Sequence, residues 1–282
     1  MATVLRLSVR VIICLTLSLC SAYGREGPLP PIPPASVPSS EACTPDTVVW
    51  GTRRNAEAAT VSVTSMLVPQ KAKRAYEHAV RALAGNYPED AEKELNSALE
   101  TYPKSAVAWC LMGTLNEERL QFDKAFMDYS QALLADSHLL AAYLGLARIA
   151  FQQQRWQEVI EITDQVVRAN PIAFPVAYLY DAAANFNLGN FTAAEKSARK
   201  FQCFDTEHER PQVYLLLGDI LTREHDYAGA AEQKKRFLTI VPDAYDAEEI
   251  NEQIKTLEDL SEGTEKSGST NGGINANTTP HE

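Results

Sequence analysis

The side chains able to do chemistry are scattered through this sequence. Its five histidines are His78, His138, His208, His225 and His281. No two stand four residues apart, and none joins a Cys/His cluster with the spacing that zinc requires. No G-x-S-x-G, no C-x-x-C and no phosphate-cradling glycine loop occurs. Glu117-Glu118 and Glu248-Glu249 are adjacent carboxylates. Neighbours on a helix point about 100° apart, so neither pair can work on one substrate atom, and both are expected on solvated faces. The sequence therefore predicts a protein that is not an enzyme, with no metal and no cofactor.

The elements that would carry these residues begin with an N-terminal address. Arg6 and Arg10 precede the apolar run Val11 to Cys20, and small residues come after it. Positive charge, apolar core and small residues in that order are a secretory signal pattern, here residues 1–24. A permanent anchor needs about 20 apolar residues, so no transmembrane anchor is expected. Leu17-Ser18-Leu19-Cys20 resembles a lipobox, but Leu19 is not the small residue that motif wants before its cysteine. Soluble export to the periplasm or medium is expected, with lipid anchoring at Cys20 the weaker alternative. After cleavage Cys43, Cys110 and Cys203 remain. Three thiols do not make a disulfide framework; one pair can form in an oxidising compartment, but packed thiols are the expectation.

Residues 25–59 are a linker, proline-rich from Gly27 to Pro38 and therefore extended there. Residues 60–70, beginning TVSVTSMLVP, form an extended arm able to fold back onto the helical region. Helical periodicity fills 71–260. The tail 261–282 is poor in apolar residues and is expected to be disordered. The formal charge is −11, which repels phosphate backbones and argues against nucleic acid as a partner. Residues 245–282 hold nine acidic and two basic residues, a solubilising end.

Self-similarity decides the fold. Ala91, Ala125, Val159, Ala194 and Ala230 succeed one another at 34, 34, 35 and 36 residues. Trp109, Tyr143, Tyr178 and Tyr214 keep the last three of those spacings, as do Gly113, Ala147, Ala182 and Gly218, and again Phe122, Trp156, Phe191 and Tyr227. Small residues on two helices let their backbones approach. The rings fill the seams between one helix pair and the next. Pro103, Pro171 and Pro242 stand where the second helix of a pair must end.

The pattern resembles the tetratricopeptide repeat (TPR) family, whose W-x2-L-G signature is seen as Trp109-x2-Met112-Gly113 and Tyr214-x2-Leu217-Gly218. The later aromatic, alanine and proline are seen as Tyr227, Ala230 and Pro242. The resemblance implies an all-α, right-handed α-solenoid of about five helix-turn-helix units, near 72–105, 106–139, 140–173, 175–208 and 211–244. The amphipathic stretch 244–260, with Ile250, Ile254 and Leu257 on one stripe, reads as a capping helix. Unit one departs from the pattern at Ala75 and His78, and unit four at Asp181 and Thr206. His78 and Asp181 fall on positions that are apolar in the family, and each is expected to face solvent or to hydrogen-bond locally.

First helices line the concave groove of this family. Carried over by position, the groove of this chain comprises Val107, Cys110, Thr114, Glu117, Ala141, Leu144, Arg148, Phe151, Val176, Leu179, Ala183, Phe186 and Asn187. Unit five adds Gln212, Leu215, Asp219 and Arg223. The middle of the groove is largely apolar with Arg148 as its one cation, which suits an amphipathic helix or extended apolar peptide; burial of Leu144, Leu179 and Phe186 in the core is the alternative. The family's carboxylate-clamp positions carry Tyr76, Val80, Leu111, Ala141 and Gly145, so no such clamp is expected. The expected function is a non-catalytic interaction module that binds a protein or peptide. A structural subunit or lipoprotein of a cell-envelope assembly, of outer-membrane or pilus type, is the alternative. Asn190-Phe191-Thr192 and Asn277-Thr278-Thr279 match the glycosylation pattern, the first expected to be accidental because the repeat itself requires Phe191.

Overall fold

A computed structural model describes residues 68–270 of the chain. The expected leader, linker, the arm up to residue 67 and the last part of the tail lie outside these. The described residues form eleven α-helices: α1 (Gln70–Ala84), α2 (Pro88–Thr101), α3 (Ala106–Glu118), α4 (Phe122–Ala135), α5 (Leu140–Gln152), α6 (Trp156–Ala169), α7 (Val176–Asn187), α8 (Phe191–Phe204), α9 (Gln212–Arg223), α10 (Tyr227–Ile240) and α11 (Ala247–Thr270). No strand occurs among them. They make an α-solenoid of helical hairpins, the class that the repeat predicts.

The tight turn inside each hairpin has one construction. Asn86, Leu120, Gln154, Gly189 and His225 all have positive φ, between 58° and 81°, and they recur at the repeat spacing. At each, the residue's own N–H donates to the carbonyl three back and the next N–H to the carbonyl five back: Leu120 to Glu117 and Gln121 to Asn116, for example, or His225 to Thr222 and Asp226 to Leu221. This is a left-handed helix stop that satisfies the last free carbonyls. Gly189 is suited to it by type, and Asn86 tolerates it. Leu120, Gln154 and His225 adopt it against an intrinsic cost, and all five are exposed.

The chain divides into two compact units, one ending at Ala184 and the other beginning at Asn185. In the first, Ala75 and Ala79 of α1 pack with Ala91, Leu95, Ala98 and Leu99 of α2 and with Ala108, Met112 and Leu115 of α3. A second cluster joins Ala125, Tyr129 and Leu133 of α4 to Tyr143, Leu146 and Ile149 of α5 and to Ile162 and Val166 of α6. The alanine column does what its spacing implies: Ala91, Ala125, Val159, Ala194 and Ala230 are each 0% exposed. Phe122, Trp156, Phe191 and Tyr227 are half-buried.

In the second unit α9 packs on α8 and α10, and α11 lies against α10. Ile250, Ile254 and Leu257 are buried, as a covering helix requires. That helix continues to Thr270, well past its expected end at Leu260. The stretch from Ser261 has little to bury, but it contains no proline. Once a helix is nucleated, each further residue adds a backbone bond at small cost, so the expectation of disorder from Ser261 fails over its first ten residues.

Candidate functional site

Three of the expected groove positions, Thr114, Glu117 and Arg148, meet at one ring. Tyr129 on α4 is fully buried and lies against two glycines, Gly113 on α3 and Gly145 on α5. A Cβ at Gly113 would come within 2.8 Å of its Cδ1, and one at Gly145 would overlap the ring more deeply. The missing side chains are therefore the space that the tyrosine fills. Its hydroxyl donates to Glu117 Oε2 at 2.7 Å and lies 3.2 Å from Thr114 Oγ1. Arg148 Nη2 donates to the same hydroxyl at 3.0 Å.

Arg148 also grips Glu117 with two prongs, Nε to Oε1 at 2.8 Å and Nη2 to Oε2 at 2.7 Å. Glu117 and Arg148, 31 residues apart in the chain, thus meet with Thr114 in one network. Burial opposes the charge on Arg148, but the hydrogen bonds to Glu117 lead the effects that hold its pKa above the ordinary guanidinium value. Burial likewise pushes the Tyr129 hydroxyl above the usual phenol range, so it remains a donor. Burial pushes the nearby Cys110 thiol up to about 11, with Arg148 lowering it and Glu117 raising it. This thiol is free but stays protonated.

Around this network the strip is uneven. Val107 is 44% exposed, while Cys110, Thr114, Ala141, Phe151, Val176 and Leu179 are half-buried. The Phe151 ring meets Trp156 edge-on at 5.2 Å and Tyr180 at 5.4 Å. Leu144 and Ala183 are only 4% and 5% exposed, so these two offer almost no surface. The reason for Leu144 lies in α5, which is apolar round most of its circumference and carries nine buried residues; such a helix is buried on most of its faces. In the second unit Phe186 is half-buried with its ring 5.8 Å from that of Phe191, and Asn187 is exposed. Gln212 is exposed and Leu215 buried. Asp219 receives Lys234, and Arg223 lies over the Phe191 ring.

Sequence reasoning did not single out Tyr129, or the column to which it belongs. Leu95, Tyr129, Thr163, Ala198 and Lys234 stand four residues after the alanine column and are all buried. Thr163 Oγ1 donates to Val159 O at 2.8 Å and reaches Asp181 Oδ1 at 3.4 Å, which accounts locally for the polar residue at 181. Lys234 Nζ donates to Asp219 Oδ1 at 2.6 Å and to Gln253 Oε1 on α11 at 2.9 Å. The available signal was the register itself: Tyr, Thr and Lys in a column whose other members are Leu and Ala.

The remaining chemistry is dispersed. His78 is exposed. His208 pairs with the Tyr214 hydroxyl at 3.0 Å and His225 with that of Tyr227 at 2.9 Å. Among the described residues no group of three or more His, Cys, Asp or Glu side chains could hold a metal, and no helix is long and apolar enough to cross a membrane. Cys203, expected to be a packed thiol, is instead disulfide-bonded.

No protein-family model and no curated protein sequence matches this chain; its likenesses are to solved structures. The structure of pilF from Pseudomonas aeruginosa matches with a TM-score of 0.55 at 17% identity, over 67% of this chain and 92% of that one. A tetratricopeptide repeat protein from Parabacteroides merdae matches with 0.54 at 14% identity, over 71% and 77%. YrrB, described as a TPR protein with an unusual peptide-binding site, matches with 0.53 at 17% identity, over 63% and 90%. The fold of the described region is that of the tetratricopeptide repeat proteins.

Proposed function

We propose that this chain is an exported interaction module that holds an uncharged, largely apolar segment of a partner protein along the first-helix face of α3 and α5. The observation that carries this reading is the Arg148–Glu117 pair. Arg148 is the one cation in the middle of the groove by sequence, and it is already engaged by two hydrogen bonds to Glu117 of its own chain. An acidic partner would have to displace Glu117 and leave a half-buried carboxylate unpaired, a loss that apolar contact does not incur. Beside the pair, Val107, Ala141 and Phe151 retain accessible apolar surface. Surface of that kind fits an extended or helical apolar segment, and YrrB, a protein of the same fold, is described by its peptide-binding site. The reading assigns no reaction and no cofactor to the chain. Export is supported by the leader pattern and by the disulfide at Cys203, because such bonds persist in oxidising compartments.

Titrating the purified protein with a labelled apolar peptide and with an acidic counterpart of equal length tests this directly. The apolar peptide should bind more tightly, and Val107→Glu should weaken it about tenfold or more, the equivalent of ~1.4 kcal/mol, with an unchanged circular dichroism spectrum. Equal binding by the Val107→Glu protein, or preference for the acidic peptide, overturns the reading.

A further inference from the structure

We infer that the partner segment held by the first unit is a proline-rich stretch in the polyproline II conformation, with an apolar side chain at every third residue. The inference rests on the groove reading above and narrows it. Val107 on α3, Ala141 on α5 and Val176 on α7 succeed one another at 34 and 35 residues. They stand at the starts of successive first helices, all within the unit that ends at Ala184. Val107 is exposed, and Ala141 and Val176 are half-buried. α3 packs on α5, and Cys110 and Val176 pack on the buried cluster that holds Leu144. Further along these helices the face closes: Leu144 is 4% exposed, and Glu117 and Arg148 hold each other. The accessible apolar surface is thus a row across three helix starts, not a stripe along one helix.

Spacing selects the partner's backbone. The axes of packed helices lie about 8–10 Å apart, and the row offers one apolar side chain per helix. A polyproline II helix rises ~3.1 Å per residue with about three residues per turn, so one face returns roughly every 9.3 Å and meets each helix in turn. A β-strand shows one face about every 6.6–6.8 Å and falls out of step. An α-helix covers roughly 10.5 Å in about seven residues, but its contact stripe includes residues in between. Those would fall where α3 and α5 already pack on each other. Hydrogen bonding selects the residue type. The side chains of the row bring no acceptor, so an ordinary extended segment would bury unpaired N–H groups against it. Proline has no N–H. The N–H groups of Val107 and Ala141 donate to no carbonyl among the described residues, as is usual at a helix start, and a proline-rich segment presents carbonyls.

The test titrates the full chain into fluorescent peptides of equal length and follows their anisotropy. One is built of Leu-Pro-Pro triplets, one has the same composition with its leucines gathered at one end, and one is a leucine-alanine peptide that forms an amphipathic helix. The triplet peptide should bind about tenfold or more tightly than either of the others. Val107→Glu should bring it down to their level at an unchanged melting temperature, and the uncharged Val107→Ser should weaken it in the same direction. Equal or tighter binding by the helical or the gathered peptide overturns the inference and leaves the apolar-segment reading standing. If no peptide binds, both fall. Self-association that is lost in Val107→Glu, read by sedimentation, would seat a second copy on the row. Triplet binding that appears only once Pro30, Pro31, Pro33 and Pro34 are replaced by glycine would seat this chain's own proline-rich stretch there. Either result overturns the assignment to a partner.

Discussion

Arg148 on α5 and Glu117 on α3 form a two-pronged ion pair, with nitrogen–oxygen distances of 2.8 and 2.7 Å and the Tyr129 hydroxyl as a third member. Both ends are partly screened, their side chains being 32% and 16% exposed. Removing one end leaves the other desolvated and alone. Glu117→Ala should therefore cost about 2 kcal/mol, less than a fully buried pair would. Urea unfolding measures it, and the double variant Glu117→Leu/Arg148→Met should regain most of the loss.

Gly145 gives a prediction whose sign decides between two effects. Alanine favours a helix interior over glycine by ~1 kcal/mol, but here its methyl would enter the Tyr129 ring, which is held in place by its hydrogen bonds. Overpacking costs about 1–3 kcal/mol, so Gly145→Ala should lower stability. Gly263, which has nothing within 4 Å of its Cβ position, is the control: Gly263→Ala should not destabilise.

Cys110 sets a pH window. Burial raises its thiol from 9.0 to about 11, so the folded state prefers the neutral form more than the unfolded chain does. That contribution is fully present below about pH 9 and is lost as pH rises through about 11, because the unfolded thiol ionises first. The denaturant midpoint should fall across that window, and less so in Cys110→Ala. Iodoacetamide should label Cys110 slowly at pH 8 and quickly once the protein is unfolded.

Leu120 holds a φ of 60° and is 72% exposed. A left-handed backbone costs such a residue about 1–2 kcal/mol, and asparagine tolerates it better. Leu120→Asn should thus stabilise by ~0.5–1 kcal/mol, read as a rise in melting temperature. Little apolar burial is given up in exchange.

Most of the fold was legible because repetition reports it many times over. The alanine column, the aromatic seams and the covering stripe of Ile250, Ile254 and Leu257 were all placed by spacing and periodicity. The site was less legible. Register put Thr114, Glu117 and Arg148 on one face, but periodicity says nothing about which charges touch, so the bonding of Arg148 to Glu117 was not foreseen. Leu144 could not be separated from surface by position alone, since α5 is apolar round most of its circumference. Tyr129 escaped because its column, read unit by unit, looks like ordinary variation. The thiol at Cys203 was misjudged by counting cysteines, which gives parity but not proximity.

That column has a consequence for how such a chain can evolve or be re-engineered. Leu95, Tyr129, Thr163, Ala198 and Lys234 occupy equivalent sites, yet Tyr129 needs two facing glycines and Lys234 needs Asp219 and Gln253. Each of these hairpins is keyed to its own neighbour. Duplicating, deleting or shuffling whole repeats would preserve every spacing in the sequence and still bring mismatched keys together, so the order of the modules is itself part of what the sequence encodes.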